Sequence, residues 1–205
     1  MVRVKVCGIT TPEQAVACVA LGVHAIGVNL VPSSARWVDE ATARSIARAV
    51  GDRTLVVAVV ADLGVDAMRA LVERTGAGCL QLHGDEPADD VAALLPHAYK
   101  AVRVADAGDV AHAAAMPGDY VMVDAKVAGA LGGTGHAFDW GLVVALAQTR
   151  RLVLAGGLKP DNVAAAVAAV RPWCVDVASG VESSPGVKDL RLVEAFVAEA
   201  RRATT

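Results

Sequence analysis

Residues 2–30 read VRVKVCGITTPEQAVACVALGVHAIGVNL, and this stretch sets the pattern for the whole chain. Val2–Val6 alternates apolar with basic residues, the period of a strand. Thr11-Pro12-Glu13 follows. Thr11 is suited to cap a helix and Pro12 to stand at its first position, so a helix is predicted to about Leu21, where Gly22 stops it. Ala25–Leu30 is the next apolar run and the next strand. One unit is therefore a short Val-rich run, a turn holding Gly, Pro or Asp, and an Ala-rich amphipathic run.

The unit recurs to the carboxyl end. Asp39 is predicted to cap a helix ending near Val50. Arg53–Val60 is apolar after its first residues, in the manner of a strand buried on both faces, and Val65–Thr75 is its helix, closed by Gly76. Further pairs are Cys79–Leu82 with Pro87–Leu95, Tyr99–Val104 with Ala107–Ala115, and Tyr120–Val123 with Phe138–Gln148. Arg151–Ala155 with Asp161–Val170 and Cys174–Ala178 with Asp189–Arg201 complete the series. Eight such units in 205 residues predict an α/β fold, a closed parallel (β/α)8 (TIM) barrel forming a single domain over residues 1–205. The alternation also permits an open doubly wound sheet. The number of units favours the barrel, and so do polar residues that follow several different strands, where barrel active sites are built.

Composition narrows the function classes. Apolar residues make up 55% and charged residues 20%, and much of the apolar excess is Ala and Val, suited to helices and strands respectively. The net charge is −3 and no stretch is strongly basic, which argues against a nucleic-acid partner. Cys7, Cys18, Cys79 and Cys174 form no CxxC pair and have no His at metal-ligand spacing, so a disulfide framework is not expected. The amino terminus has no long apolar stretch, and no apolar run reaches membrane-spanning length. The expectation is a reduced, cytoplasmic protein without a membrane partner.

Several strand ends carry residues with chemistry. Cys7 ends the first strand before Gly8; it is either a thiol at the barrel mouth or a buried inert one, and Lys5, on the same strand face, is placed to favour its thiolate. Asp124 ends the run Val121-Met122-Val123 and is either a general acid or the cap of the following loop. Gly129-Ala130-Leu131-Gly132-Gly133-Thr134-Gly135-His136 is a Gly-rich loop that lets backbone amides approach an anion, or is merely flexible. Ala155-Gly156-Gly157-Leu158 and Ser179-Gly180-Val181-Glu182 follow the seventh and eighth strands, where barrels hold phosphate. Arg36, in Pro32-Ser33-Ser34-Ala35-Arg36-Trp37, is either a two-pronged carboxylate holder or a solvated surface residue. His83, ending Gln81-Leu82-His83, is a substrate contact, a support for Cys7 or a structural His.

Taken in order, these segments resemble the phosphoribosylanthranilate isomerase family along nearly the whole chain. The matching pieces are Lys5-Val6-Cys7-Gly8-Ile9-Thr10, Gln81-Leu82-His83-Gly84, Val123-Asp124-Ala125-Lys126 and Gly132-Gly133-Thr134-Gly135 with Phe138-Asp139-Trp140. Leu154-Ala155-Gly156-Gly157-Leu158 with Pro160 and Asn162-Val163 follows, and then Val175-Asp176-Val177-Ala178-Ser179-Gly180-Val181-Glu182 through Gly186 to Lys188-Asp189. Ala35 stands where the family usually has Pro, and Ala178-Ser179 where Ser-Ser is common. The resemblance implies an Amadori rearrangement of N-(5′-phosphoribosyl)anthranilate in tryptophan biosynthesis, a small-molecule phosphoribosyl substrate, and no metal or organic cofactor. It implies Asp124 as general acid and Cys7 as general base. The substrate-binding residues it implies are Lys5, Arg36, His83, Gly133, Gly135, Gly156, Gly157, Ser179 and Gly180. Arg36 would pair with the anthranilate carboxylate and the Gly loops with the phosphate. The related isomerase of histidine biosynthesis is the rival; it carries Asp at both acid and base positions and two phosphate loops, whereas this chain has Cys7 and, at Val59-Val60-Ala61-Asp62, no second pair of glycines. A barrel kept only for ligand binding would have lost the acid or the base. The Ala-rich outer helices leave a monomer and a homodimer equally open.

Overall fold

Alternation along the first strand puts Val4 and Val6 on one side and Lys5 and Cys7 on the other, and the barrel is built on that division. The computed structural model describes residues 1–125 and 139–203. Its strands are β1 (Arg3–Cys7), β2 (Ala25–Asn29), β3 (Leu55–Val60), β4 (Cys79–Leu82), β5 (Ala98–Val104), β6 (Tyr120–Ala125), β7 (Arg151–Ala155) and β8 (Cys174–Val177). They pair in chain order, and β8 returns to β1 with Lys5 opposite Asp176, so the parallel ring is closed and the open-sheet alternative falls away. The helices are α1 (Pro12–Ala20), α2 (Glu40–Val50), α3 (Val65–Thr75), α4 (Ala88–Ala93), α5 (Ala107–Ala115), α6 (Val144–Thr149), α7 (Val163–Val170) and α8 (Leu190–Arg202). Thr11 and Asp39 cap α1 and α2 as expected, accepting from the amides of Gln14 and Thr42. Among the described residues no helix is long and apolar enough to cross a membrane.

Two cores follow from strand alternation. Val4, Val6, Ile26, Leu152 and Leu154 face outward and are sealed under helix residues such as Ile46 and Phe196. Ala25, Val57, Tyr99, Met122, Val153 and Cys174 face inward and fill the lumen.

Local chemistry moves some boundaries from those expected. Arg53 does not start β3, because its guanidinium turns back to donate to the carbonyls of Val50 (3.0 Å) and Ala49 (2.5 Å) at the end of α2. The chain makes a 3-10 turn over Gly51–Arg53, and the strand begins at Leu55. Asn162 delays α7 to Val163 by closing the preceding turn, accepting from the Lys159 amide and donating to the Gly157 carbonyl. A 3-10 turn at Trp140–Val143, capped by Asp139, stands before α6; Phe138, the expected start of that helix, lies outside the described residues. The last unit also contains a short antiparallel hairpin, β9 (Glu182–Ser184) and β10 (Val187–Lys188), between β8 and α8. Only three and two residues long, its strands carry too little alternation to be read from sequence.

Phe196, fully buried on α8, fixes that helix against the barrel. Phe196→Ala is expected to lower the unfolding free energy by about 3–5 kcal/mol. Urea denaturation with an unchanged slope measures it; a loss under about 1 kcal/mol would show that the helix layer closes over the gap.

Candidate active site

Cys7 ends β1 with its thiol half-buried at the carboxyl end of the barrel, directly beside Gly27 of β2. A Cβ on Gly27 would stand 2.7 Å from the Cys7 Sγ and 3.2 Å from the Lys5 Nζ. No residue larger than glycine leaves both groups in place. Below the thiol, Lys5 donates to Asp176 of β8 at 2.9 Å, with both side chains buried. Burial alone would pull the Lys5 ammonium down, but Asp176 outweighs it and holds Lys5 well above its ordinary range. Lys5 is thus a fixed cation under Cys7. It does not itself line the mouth.

Burial dominates the thiol too. It pushes Cys7 up, Asp176 adds to the effect, and the cations of Lys5 and Lys188 only partly oppose it. Cys79 and Cys174, inside the barrel, are pushed up to about 11 and about 12, again by burial first, and Cys18 under the helices to about 11. Cys7 alone among these cysteines lines the mouth cavity.

Asp124 lies three strands round the ring from Cys7, near the end of β6. Its neighbour is His83, whose Nε2 is 3.5 Å from the carboxylate. His83 is therefore partnered with Asp124, and not with Cys7. Behind it, the Tyr99 hydroxyl donates to Gln81 Oε1 at 2.9 Å, which turns the Gln81 amide nitrogen toward His83 Nδ1, also at 2.9 Å. Nδ1 accepts, so the network assigns the imidazole proton to Nε2, the nitrogen facing Asp124.

The groups open on one cavity of about 350 Å³. Cys7, Arg36, His83, Asp124, Gly156, Gly157 and Ser179 all line it, together with Asn29, Arg103 and Asp176. That volume lies within the range of small-molecule sites. Gly156 (φ +94°) and Gly157 (φ +64°) turn in the left-handed region that glycine favours. Ser179 opens the 3-10 turn Ser179–Val181, and Gly180 lies against the Leu158 carbonyl rather than on the cavity wall, holding the two turns together. Arg36 reaches the cavity while Glu182 accepts from its Nε and Nη2. Gly133 and Gly135 lie outside the described residues. Among the described residues no group of three or more His, Cys, Asp or Glu is placed to hold a metal ion.

Gly27, Gln81, Asp176 and Glu182 also belong to this arrangement; none is an individual candidate by sequence, although the last three stand within the quoted segments. Asp176 had a usable signal: it is a carboxylate inside the apolar run Cys174–Val177, a position that demands a buried cation. Gly27 and Gln81 become visible only once neighbouring strands are in register.

A closed barrel whose chemistry collects at the carboxyl ends of its strands defines the chain as a (β/α)8-barrel enzyme. Residues 4–199 match the family model described as N-(5′-phosphoribosyl)anthranilate (PRA) isomerase, and the chain belongs to that family. A relative from Myxococcus xanthus, N-(5′-phosphoribosyl)anthranilate isomerase, is 44% identical over 98% of this chain and 96% of its own. The crystal structure of phosphoribosyl anthranilate isomerase from Thermotoga maritima superposes with a TM-score of 0.90 at 35% identity, covering 98% of this chain and all of its own. A further solved isomerase, in complex with reduced 1-(o-carboxyphenylamino)-1-deoxyribulose 5-phosphate, matches with a TM-score of 0.88 at 32% identity, covering 98% of this chain and 100% of that one.

The Cys7 environment has a measurable consequence. A raised thiol is mostly protonated at neutral pH, and its alkylation accelerates only as pH rises through the raised value. Iodoacetamide labelling of the unliganded protein, with Cys7→Ser as blank, is expected to have its midpoint above the roughly 8.5 of a free cysteine. A midpoint at or below that value would show that Lys5 and Lys188 outweigh burial.

Proposed function

We propose that this chain converts N-(5′-phosphoribosyl)anthranilate to 1-(2-carboxyphenylamino)-1-deoxyribulose 5-phosphate, the isomerase step of tryptophan biosynthesis, with Asp124 and Cys7 dividing the proton transfers. The observation that carries the assignment is a carboxyl from β6 and a thiol from β1 entering one cavity of about 350 Å³. An Amadori rearrangement needs one group to give a proton and another to take one. Asp124 protonates the ribose ring oxygen, and the C1′–O bond breaks as the anilino nitrogen donates its lone pair to form an iminium ion. The Cys7 thiolate removes the C2′ proton, and the C–H electron pair forms the enolamine. Tautomerisation moves a proton to C1′ and leaves the C2′ ketone. Nothing is oxidised or reduced overall, because the iminium accepts the electron pair that C2′ releases.

Burial of Cys7 suits this role. It makes the thiolate less abundant and also a stronger base once formed. Lys5, below the thiol, supplies a permanent positive field there. The turns at Gly156-Gly157 and Ser179 offer backbone to the phosphate, and Arg36 takes the anthranilate carboxylate. A reduced, cytoplasmic setting belongs to the same reading, since all four cysteines are free and Cys7 must remain a thiol to act.

Adding protein to freshly generated phosphoribosylanthranilate and following decay of its fluorescence tests the activity. Loss no faster than the spontaneous rate would move the assignment to another phosphoribosyl amine. Cys7→Ala and Asp124→Asn are each expected to lower turnover by about a hundredfold or more while binding of the reduced product analogue stays nearly intact. A wild-type rate in either variant removes that residue from its role.

The Arg36 assignment makes a separate prediction. Arg36→Ala is expected to raise KM by about tenfold or more with a smaller change in kcat, because binding to a carboxylate remote from the reacting atoms is lost equally in the ground and transition states. An unchanged KM would mean that the carboxylate is held elsewhere.

A further inference from the structure

The guanidinium assigned to the substrate carboxylate already has a carboxylate partner inside the protein. Glu182 accepts from Arg36 Nε at 2.8 Å and from Nη2 at 2.6 Å. A neutralised Arg36 would be a poor receptor for an anion. The hairpin β9–β10 resolves the difficulty by bringing a second cation, Lys188, to 2.6 Å from Glu182 Oε1. The Lys188 side chain is 0% exposed and that of Glu182 4%, whereas Arg36 retains 25%. The amide of Gly186 also donates to Glu182, and Lys188 donates to the Ala178 carbonyl. Burial would push the Glu182 carboxyl up, but Arg36 and Lys188 together hold it below its usual range, so Glu182 keeps its negative charge.

Two cations and one carboxylate leave one positive charge in excess. Lys188 is enclosed, so that excess emerges at Arg36. Glu182 engages the Nε side of the guanidinium, and Nη1 has no protein acceptor among the described residues. The planar fork therefore keeps an edge suited to a second, two-pronged carboxylate contact. The hairpin is tied to the loop after Cys7 and to α1, since Thr10 Oγ1 (2.6 Å) and Gln14 Nε2 (3.2 Å) both donate to the Gly186 carbonyl. We infer that Lys188 is a positioning and specificity residue that offsets the charge of Glu182, so that Arg36 meets the substrate carboxylate as an unneutralised cation in a fixed plane. This rests on the reading of Arg36 given above.

The test uses charge restoration. Lys188→Met leaves Arg36 and Glu182 as a neutral pair, and KM for phosphoribosylanthranilate is expected to rise about tenfold. Adding Glu182→Gln removes the charge that neutralises Arg36 and should bring KM back to within about threefold of wild type. Two substitutions that merely damaged packing would not rescue each other. The phosphoribosyl derivative of aniline, which lacks the carboxylate, should show no rise in KM with Lys188→Met. An equal rise there would assign the charge to the phosphate and overturn the inference. So would an unchanged KM with Lys188→Met, or a double variant no better than the single one, provided that Arg36→Ala does raise KM. If Arg36→Ala leaves KM unchanged, the carboxylate reading itself fails. Lys188→Gln makes the same neutral pair and serves if Lys188→Met does not fold.

Discussion

Lys5 of β1 and Asp176 of β8 meet at 2.9 Å at the seam where the first strand pairs with the last. Two charges out of water are tolerated only as a pair, and leaving one without its partner costs about 3–5 kcal/mol. The pair therefore penalises any register of β8 on β1 other than the one in which Lys5 and Asp176 are opposite. The Cys7 side of the mouth depends on that register. Cys7 stands two residues above Lys5, and Gly27 beside it provides the space that both the thiol and the ammonium occupy.

The same constraint governs reactivity. A cation below a thiol ordinarily favours the thiolate, and Lys5 does so here, yet desolvation is the larger effect at Cys7. Proton abstraction from carbon needs a strong base more than an abundant one. On the proposed reading, desolvation strengthens the Cys7 thiolate as a base, and the cation beneath it limits how far its abundance falls. Asp124 works under a different arrangement. Its neighbour His83 is oriented by Gln81 and Tyr99, a chain of hydrogen bonds that begins inside the barrel.

The strand–helix alternation could be read because it is local. Val-rich runs, Thr11 and Asp39 as caps, and Gly22 and Gly76 as stops act over a few residues each, and eight repeats leave few topologies. Candidate residues at strand ends were legible for a related reason, since a polar group closing an apolar run stands out. The partners were not. Glu182 and Lys188 stand in the sequence only as members of one segment, and nothing local shows that Arg36 arrives from 146 positions away or that the hairpin buries Lys188. Arg53 reads as the start of a strand by its neighbours, whereas its guanidinium is engaged at the end of α2. Side chains that act through long-range contacts leave no periodic trace.

The distribution of buried charge connects these observations. Lys5 is matched by Asp176, and Lys100 by Glu86 at 3.1 Å. Each balances within itself and leaves no net charge to attract a ligand, although Lys5 and Asp176 still act on the neighbouring thiol. The cluster of Glu182, Lys188 and Arg36 does not balance, and the cation in excess is the one that lines the cavity. A net positive charge in a partly desolvated mouth lowers stability, since Glu182 is shared between two cations and offsets only one of them. It also strengthens attraction for an anion, because screening is weaker there than in bulk water. On the proposed reading of Arg36, an anionic substrate would supply the missing countercharge on binding. On that reading the imbalance is the part of the electrostatic design available for recognition, whereas the balanced pairs add no net charge to the mouth.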